Sequence, residues 1–253
     1  MKWTKYAMSV GTVLAAVTLM VGCGSPNSSN NTANTANTAN AANSADNAAN
    51  ESGNAAANNA IANNTSGAGP TLHTTTQRWS SPPKMTIDTS KTYDAVVHTN
   101  YGTFTIQLFA KQSPITVNNF VFLAEHNFYH DDKFFRIIKN FMIQTGDPNN
   151  NGTGGPGYTI KDEFQHLKPY TKGIVAMANT GKPNSGGSQF FICTVDDSNN
   201  LQPAYSQLGQ VVSGMNVVEK IASIPVTANP NMGGEQSYPL ETAYIESIDI
   251  QVK

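Results

Sequence analysis

Residues 25–70 contain almost no side chain that can bury apolar surface, and this confines any fold to the rest of the chain. The segment consists of Asn, Ala, Thr, Ser and Gly, with an Asn-Thr-Ala triplet repeated from Asn31 to Ala39 and only Asp46 and Glu51 charged. Asn at every third position competes for backbone hydrogen bonds, which favours a disordered tether over a helix. We therefore predict a low-complexity tether over residues 23–90 and a folded domain over 91–253. The alternative is an adhesive low-complexity segment.

The first 22 residues are typical of a secretory signal peptide. Lys2 and Lys5 precede an apolar run, 7–21, that is short for a membrane span. The run ends in Val21-Gly22-Cys23, which resembles a bacterial lipoprotein signal in which the cysteine becomes lipidated, although Met20 stands where leucine is usual. We expect Cys23 to anchor an exported protein to the outer face of the cell membrane through acyl chains. The alternative is an ordinary signal peptide.

Charge and cysteine content exclude several classes of protein. A formal net charge of -2 and a pI near 6.2 give no basic face for nucleic acid, so we expect no nucleic-acid partner. Cys23 and Cys193 lie far apart, so a disulfide framework is not indicated. Cys193, between Ile192 and Thr194 on a predicted strand, is interpreted as a small buried apolar residue.

Short apolar stretches recur from residue 93 onwards, with glycine, proline and asparagine between them. In one of them Phe104, Ile106 and Leu108 alternate with polar residues, as in a half-buried strand. Helical spacing appears twice, over 114–124 and 215–223. Many short strands with few helices indicate a mainly β sandwich or barrel. The predicted strands are 93–99, 103–109, 134–138, 141–145, 173–178, 189–194, 207–212 and 244–252.

Five blocks of this region resemble, in order, the signature blocks of the cyclophilins, the cyclosporin-type peptidyl-prolyl isomerases. They are Phe134-Phe135-Arg136-Ile137-Ile138, Phe141-Met142-Ile143-Gln144, Asn151-Gly152-Thr153-Gly154-Gly155, Met177-Ala178-Asn179 and Ser188-Gln189-Phe190-Phe191-Ile192. The resemblance implies a closed eight-stranded antiparallel barrel capped by two helices, with a groove on its outer surface. It also implies neither metal nor cofactor.

The resemblance also assigns roles to single residues. Arg136 is expected to be catalytic, as the donor to the proline nitrogen. The pocket for the substrate proline is expected to be lined by Phe141, Met142, Phe191 and Leu201, with Tyr205 covering the proline ring. The peptide backbone is expected to contact Gln144, Ala178, Asn179 and Gln189.

The chemistry of the reaction agrees with these roles. Rotation about an X-Pro bond breaks amide conjugation against a barrier of about 18–20 kcal/mol and needs no nucleophile or proton transfer. A catalyst can hold the proline ring and stabilise the nitrogen as it regains its lone pair. Arg136 suits that task because a guanidinium keeps its charge and presents several donors. The expected partners are proline-containing polypeptides, newly exported.

Departures from the family pattern limit what the resemblance implies. Phe135 stands where many members have histidine, which leaves the mechanism unaffected. Asn200 and Tyr205 stand where cyclosporin-sensitive members have tryptophan and histidine. We therefore predict weak cyclosporin binding with isomerase activity retained.

Other interpretations fit parts of the same sequence. The chain could be a proline-peptide binding module or holdase chaperone, or mainly a surface-displayed interaction protein. Residues 151–157 lack the Gly-Lys-Ser/Thr ending of a phosphate loop, which favours a tight surface loop beside the groove. A metal site could be imagined at His126 and His130, which are followed by Asp131 and Asp132. Only the spacing suggests it, because the two aspartates lie past the expected helix end.

Overall fold

The computed structural model describes residues 75–165, 167–199 and 201–253. The predicted signal peptide, Cys23, the tether up to residue 74 and Asn200 lie outside these ranges and stay predictions. Within the described residues, none of the helices has the length and apolarity required to span a bilayer.

The described chain has ten strands and two helices. In order the elements are β1 Tyr93–Thr99, β2 Gly102–Leu108, α1 Pro114–Glu125, β3 Arg136–Ile138, β4 Met142–Thr145, β5 Ile174–Met177, β6 Phe190–Cys193, β7 Gln207–Ser213, α2 Met215–Ala222, β8 Val226–Ala228, β9 Gln236–Pro239 and β10 Ile245–Val252. All eight predicted strands and both predicted helices are present, with ends that agree to within about two residues, the usual uncertainty of such boundaries. Strands β8 and β9 were not predicted from the sequence.

Eight strands form one antiparallel sheet in the order β10-β1-β2-β7-β5-β6-β4-β3, and β8 pairs with β9 in a separate hairpin. The closed barrel predicted from the sequence is not confirmed, because in the described chain the end strands β3 and β10 share no ladder. Residues just before them meet instead: the Phe134 amide donates to the Ala243 carbonyl over 2.9 Å, and Lys133 forms a bridge with Tyr244. The sheet is therefore curled, and the gap between its end strands β3 and β10 is bridged by only a few backbone hydrogen bonds of the described chain.

Strands β4, β5 and β6 are buried on both faces. Ile143, Val175 and Ile192 point into the main core, under the helices. Their neighbours Met142 and Phe191 belong to a second apolar cluster with Tyr170, Cys193 and other residues on the opposite face. This second cluster is the floor of the groove described below.

The two helices bury the faces that their spacing predicted. In α1, Val117, Phe120, Val121 and Ala124 are buried. The first amides of this helix have no intrahelical acceptor, and the carboxylate of Glu163 accepts those of Ile115 (3.1 Å) and Thr116 (2.8 Å). In α2, Val218 and Ile221 are buried, whereas Met215 is only half-buried.

Residues 75–90, the end of the predicted tether, lie on the domain. Trp79 packs on the core beside Phe122, with ring centroids 5.1 Å apart, and Ile87 is 8% exposed. The Asn118 side chain of α1 accepts the amide of Thr86 over 2.8 Å. We call residues 75–90 the N-terminal strap. The predicted boundary at residue 90 therefore falls at the end of a segment that already contacts the core, because its apolar side chains find burial there.

Candidate active site

One row of facing residues crosses the sheet and builds the site. Arg136 on β3 faces Gln144 on β4, Gln144 faces Phe191 on β6, and Phe191 faces Ala176 on β5. Directly opposed residues of antiparallel strands carry their side chains on the same face, about 4.5–5.5 Å apart. The register therefore places the arginine, the glutamine and the phenylalanine side by side on the outer face.

Arg136 is held by three hydrogen bonds. Its Nε donates to Glu235 Oε1 (2.7 Å) and its Nη2 to Glu235 Oε2 (2.8 Å), which makes a two-point ion pair. Its Nη1 donates to Gln144 Oε1 over 3.0 Å. A guanidinium has five N–H groups, so two remain, and no described residue accepts a hydrogen bond from them.

The ion pair shifts the titration of the carboxylate. Hydrogen bonds from Arg136 hold the pKa of Glu235 below its usual range, and partial burial of the carboxyl opposes this effect. Glu235 therefore stays ionised at neutral pH, and the pair is fully charged.

A second chain of hydrogen bonds runs behind the arginine. Gln144 Nε2 donates to Gln189 Oε1 over 3.0 Å, and Gln189 Nε2 donates to the Gly154 carbonyl over 2.9 Å. The carboxylate of Asp147 accepts the amides of Asn149 (2.8 Å) and Asn151 (3.1 Å), which fixes the glycine-rich loop. The predicted position of residues 151–157 beside the groove agrees with these contacts.

An open groove lies next to Arg136, and the space that it encloses together with the solvent at its open side is about 420 Å³. Nine of the ten predicted site residues in the folded domain line it. They are Arg136, Phe141, Met142, Gln144, Ala178, Asn179, Phe191, Leu201 and Tyr205. The tenth, Gln189, lies behind Gln144, so its expected contact with the peptide stays a prediction.

The apolar end of the groove is shaped by aromatic contacts. Tyr205 meets Phe191 edge to face, with centroids 5.3 Å apart and an interplanar angle of 88°. Tyr170 fixes the Tyr205 backbone, since its hydroxyl donates to the Tyr205 carbonyl (3.0 Å) and accepts the Tyr205 amide (3.2 Å). Burial raises the pKa of Tyr170 to about 12, so this hydroxyl keeps its proton.

Asn179 uses its side chain within the protein. Its Nδ2 donates to the Ala204 carbonyl over 2.8 Å, and its Oδ1 accepts the Gly181 amide over 3.0 Å. This side chain therefore ties together the two loops at the groove rim, and the expected contact of Asn179 with the peptide backbone stays a prediction.

Two residues of the site were missed from the sequence. Glu235 follows two glycines and shows no periodicity, and Tyr170 lies between predicted strands. The histidines considered for metal binding contact separate carbonyls: His126 Nδ1 lies 2.7 Å from Phe122 O, and His130 Nδ1 lies 2.6 Å from Glu246 O.

Comparison with known proteins identifies the family. The model of the family "Cyclophilin type peptidyl-prolyl cis-trans isomerase/CLD" matches residues 95–249. A peptidyl-prolyl cis-trans isomerase-like 3 of Gallus gallus is 39% identical over 159 residues, covering 61% of this chain and 93% of its own. A peptidyl-prolyl cis-trans isomerase of Helicobacter pylori is 41% identical over 135 residues, covering 52% and 82%.

A solved structure supports the same assignment. The cyclophilin-type isomerase of Cryptosporidium parvum, crystallised in the presence of the dipeptide Ala-Pro, has a TM-score of 0.56 at 31% identity and covers 62% of this chain and 98% of its own. The chain belongs to the cyclophilin-type peptidyl-prolyl cis-trans isomerase family. It is an enzyme of that class, with a cyclophilin-like fold.

Proposed function

We propose that this isomerase acts on X-Pro bonds of newly exported polypeptides outside the cell membrane, with Arg136 as the donor to the proline nitrogen. The observation that carries the catalytic part is the position of Arg136: a fixed cation with two N–H groups left over, at the edge of an apolar pocket. The cellular part rests on the lipoprotein-like signal ending at Cys23.

The pocket and the arginine have different roles: the pocket binds the proline ring, and the arginine stabilises the twisted amide. Phe141, Met142 and Phe191 take the proline ring, whose burial fixes one side of the bond. Rotation then turns the preceding carbonyl, and the nitrogen becomes pyramidal and gains hydrogen-bond acceptor strength. An Arg136 N–H donates to that nitrogen and so stabilises the twisted amide more than the planar one, as catalysis requires.

Magnitudes set a limit on what Arg136 supplies. Raising a rate of about 0.01 per second to about 10 per second lowers the barrier by roughly 4 kcal/mol. A hydrogen bond to a charged group contributes about 1.5–3 kcal/mol. The remainder comes from holding the substrate in a twisted geometry in a partly dry groove.

The test is exchange NMR on a short peptide containing Ala-Pro. We expect Arg136→Ala to lower the catalysed cis-trans exchange rate at least tenfold, because the variant loses a hydrogen bond from a charged group. Peptide affinity is expected to be largely retained. Lys139→Ala removes an exposed cation from the adjoining turn and serves as the matched control. An unchanged rate in Arg136→Ala would show that the arginine is not catalytic.

The anchor is tested separately. Mass spectrometry of the mature N-terminus is expected to find Cys23 as the first residue, carrying acyl chains. Cys23→Ala is expected to release the protein from the membrane fraction without changing the exchange rate of the isolated protein. A mature chain that begins elsewhere would contradict the lipoprotein proposal.

A further inference from the structure

The carboxylate that holds Arg136 comes from a hairpin, far along the chain. Glu235 is 99 residues from Arg136 and lies at the end of the loop between β8 and β9. Strand β9 packs against β3, the strand that carries Arg136. The hairpin lies outside the main sheet and was not among the elements predicted to form the site. It supplies two of the three hydrogen bonds that the described residues make with the guanidinium.

The loop that carries Glu235 is closed by backbone and side-chain hydrogen bonds of Asn229. Asn229 is 1% exposed. Its amide donates to the Glu235 carbonyl over 2.8 Å, and its carbonyl accepts the Gly234 amide over 2.9 Å. Its side chain donates to Ser237 Oγ over 3.2 Å and accepts the Asn231 amide over 3.0 Å. These bonds close the loop at its base and fix the direction in which Glu235 leaves the backbone.

A second contact joins the same loop to the glycine-rich loop across the site. The Met232 methyl group lies so close to Gly152 that a Cβ on this glycine would be 2.3 Å from it and 3.9 Å from Phe135. The β8–β9 loop therefore contacts the rest of the domain at two points: Met232 packs on Gly152, and Glu235 pairs with Arg136.

We propose that Glu235 is a positioning residue of the isomerase, which fixes the Arg136 guanidinium at the groove edge through its two-point ion pair. This inference rests on the proposed catalytic role of Arg136. Arginine has a long side chain whose rotamer freedom must be removed before one of its N–H groups can meet a single nitrogen atom. With side-chain exposures of 26% for Arg136 and 33% for Glu235, packing alone leaves this freedom, and the carboxylate removes it.

Geometry explains why glutamate serves here. A carboxylate matches the fork of a guanidinium with two parallel bonds, which fixes orientation as well as position. An aspartate in place of Glu235 would be shorter by one methylene group and would lose contact, while a glutamine there would keep one acceptor and lose the charge. The graded series Glu235→Gln, Glu235→Asp and Glu235→Ala therefore separates loss of charge from loss of reach.

The experiment measures exchange rate and peptide affinity in these variants, in Arg136→Ala and in the double variant Arg136→Ala/Glu235→Ala. The Arg136 Nε–H NMR signal is followed in the variants that keep the arginine. Glu246→Ala, an exposed glutamate on β10, is the control for loss of an acidic side chain. We expect Glu235→Ala to lower the catalysed rate about tenfold, since misplacement of a donor by about 1 Å has effects of this order or larger. Peptide affinity stays within about twofold, and Glu235→Gln is intermediate.

The Nε–H signal is expected to move to the position of a free arginine, a change that a purely structural role of Glu235 would not produce. The double variant is expected to match Arg136→Ala, because Glu235 acts through the arginine. A rate in Glu235→Gln and Glu235→Ala equal to or above that of the unmodified protein, while Arg136→Ala is slow, overturns the inference alone. An unchanged rate in Arg136→Ala overturns the proposed function and this inference with it.

Discussion

The amide of Trp79 donates to the carbonyl of Pro156 over 2.8 Å, and so joins the N-terminal strap to the loop beside the groove. The same contact explains a glycine: at Gly157, whose φ is +94°, a Cβ would lie 2.6 Å from the Trp79 carbonyl. The strap is thus built into the domain at the loop whose Gly154 accepts Gln189.

Trp79→Ala is expected to destabilise the domain by about 2 kcal/mol, less than the roughly 3–5 kcal/mol of a fully buried tryptophan because the ring is only partly buried. The ring contacts with Phe122 and Phe128, at 5.1 and 6.0 Å, are lost. Urea unfolding measures the change, and hydrogen exchange is expected to speed up in residues 152–157. Gln77→Ala, an exposed strap residue, is the control. Equal stability of the two variants would contradict a packed strap.

Asp132 is expected to make stability fall with rising pH. Asp132 is 0% exposed, and neither of its carboxyl oxygens has a hydrogen-bond partner among the described residues. Burial, followed by the charge of Asp147, raises the pKa of Asp132 to about 8. The unfolded carboxyl ionises near pH 4, so the folded state holds the proton more tightly, and stability is lost as pH rises from about 4 through 8.

The measurement compares the free energy of unfolding of the unmodified protein and Asp132→Asn between about pH 5 and pH 8. The difference between them is expected to shift in favour of Asn by at least about 1 kcal/mol over this range, since one pKa unit corresponds to about 1.4 kcal/mol. Parallel pH profiles would show that Asp132 does not titrate in this way.

Gly146→Ala is expected to lose more stability than Gly181→Ala. Both glycines have positive φ, +83° and +78°. A Cβ at Gly146 would lie 2.5 Å from the Ser188 carbonyl, whereas a Cβ at Gly181 would have no atom of the described chain within 4 Å. The backbone strain of about 1–2 kcal/mol is common to both. The clash adds to it and displaces Gln189, so exchange activity is expected to fall only in Gly146→Ala. Thermal unfolding and exchange NMR give the comparison.

Cys193 is expected to resist alkylation until the domain unfolds. The thiol is 0% exposed, and burial, with a smaller effect of Asp197, raises the pKa of Cys193 to about 12. Thiolate is the reacting form, so iodoacetamide at about pH 8 is expected to label a soluble form lacking Cys23 only in denaturant. Rapid labelling of the native protein would contradict the buried assignment.

Cyclosporin is expected to bind weakly, and Asn200→Trp to tighten binding at least tenfold by restoring an indole donor and apolar surface, a gain of about 1.4 kcal/mol or more. Calorimetry measures this. Lys139→Ala again serves as a control, and a tight complex with the unmodified protein would contradict the prediction.

The elements of the domain follow from local sequence, but their arrangement does not. Phe104, Ile106 and Leu108 reveal β2 by alternation, whereas β4 and β6 show none because both of their faces are buried. Pairing of β4 with β6 depends on long-range register, which no local period encodes. Whether β3 and β10 close a barrel likewise depends on a few bonds at residues 131–134.

The groove residues were predicted because the sequence resembles a known family, and the structure brings nine of them together. The role of Glu235 could not be predicted from the sequence, for a physical reason. Its role arises only when the β8–β9 hairpin packs on β3, and β8 has just three residues, too few for a period.

Because Trp79 and Ile87 are fastened before β1 begins, the strap separates the sheet from whatever happens at the N-terminal end of the chain. A pull applied there reaches the strap before it reaches β1. Among the described residues, the backbone hydrogen bond nearest that end is the one from Trp79 to Pro156, so mechanical load reaches the loop beside the groove before it reaches any described strand.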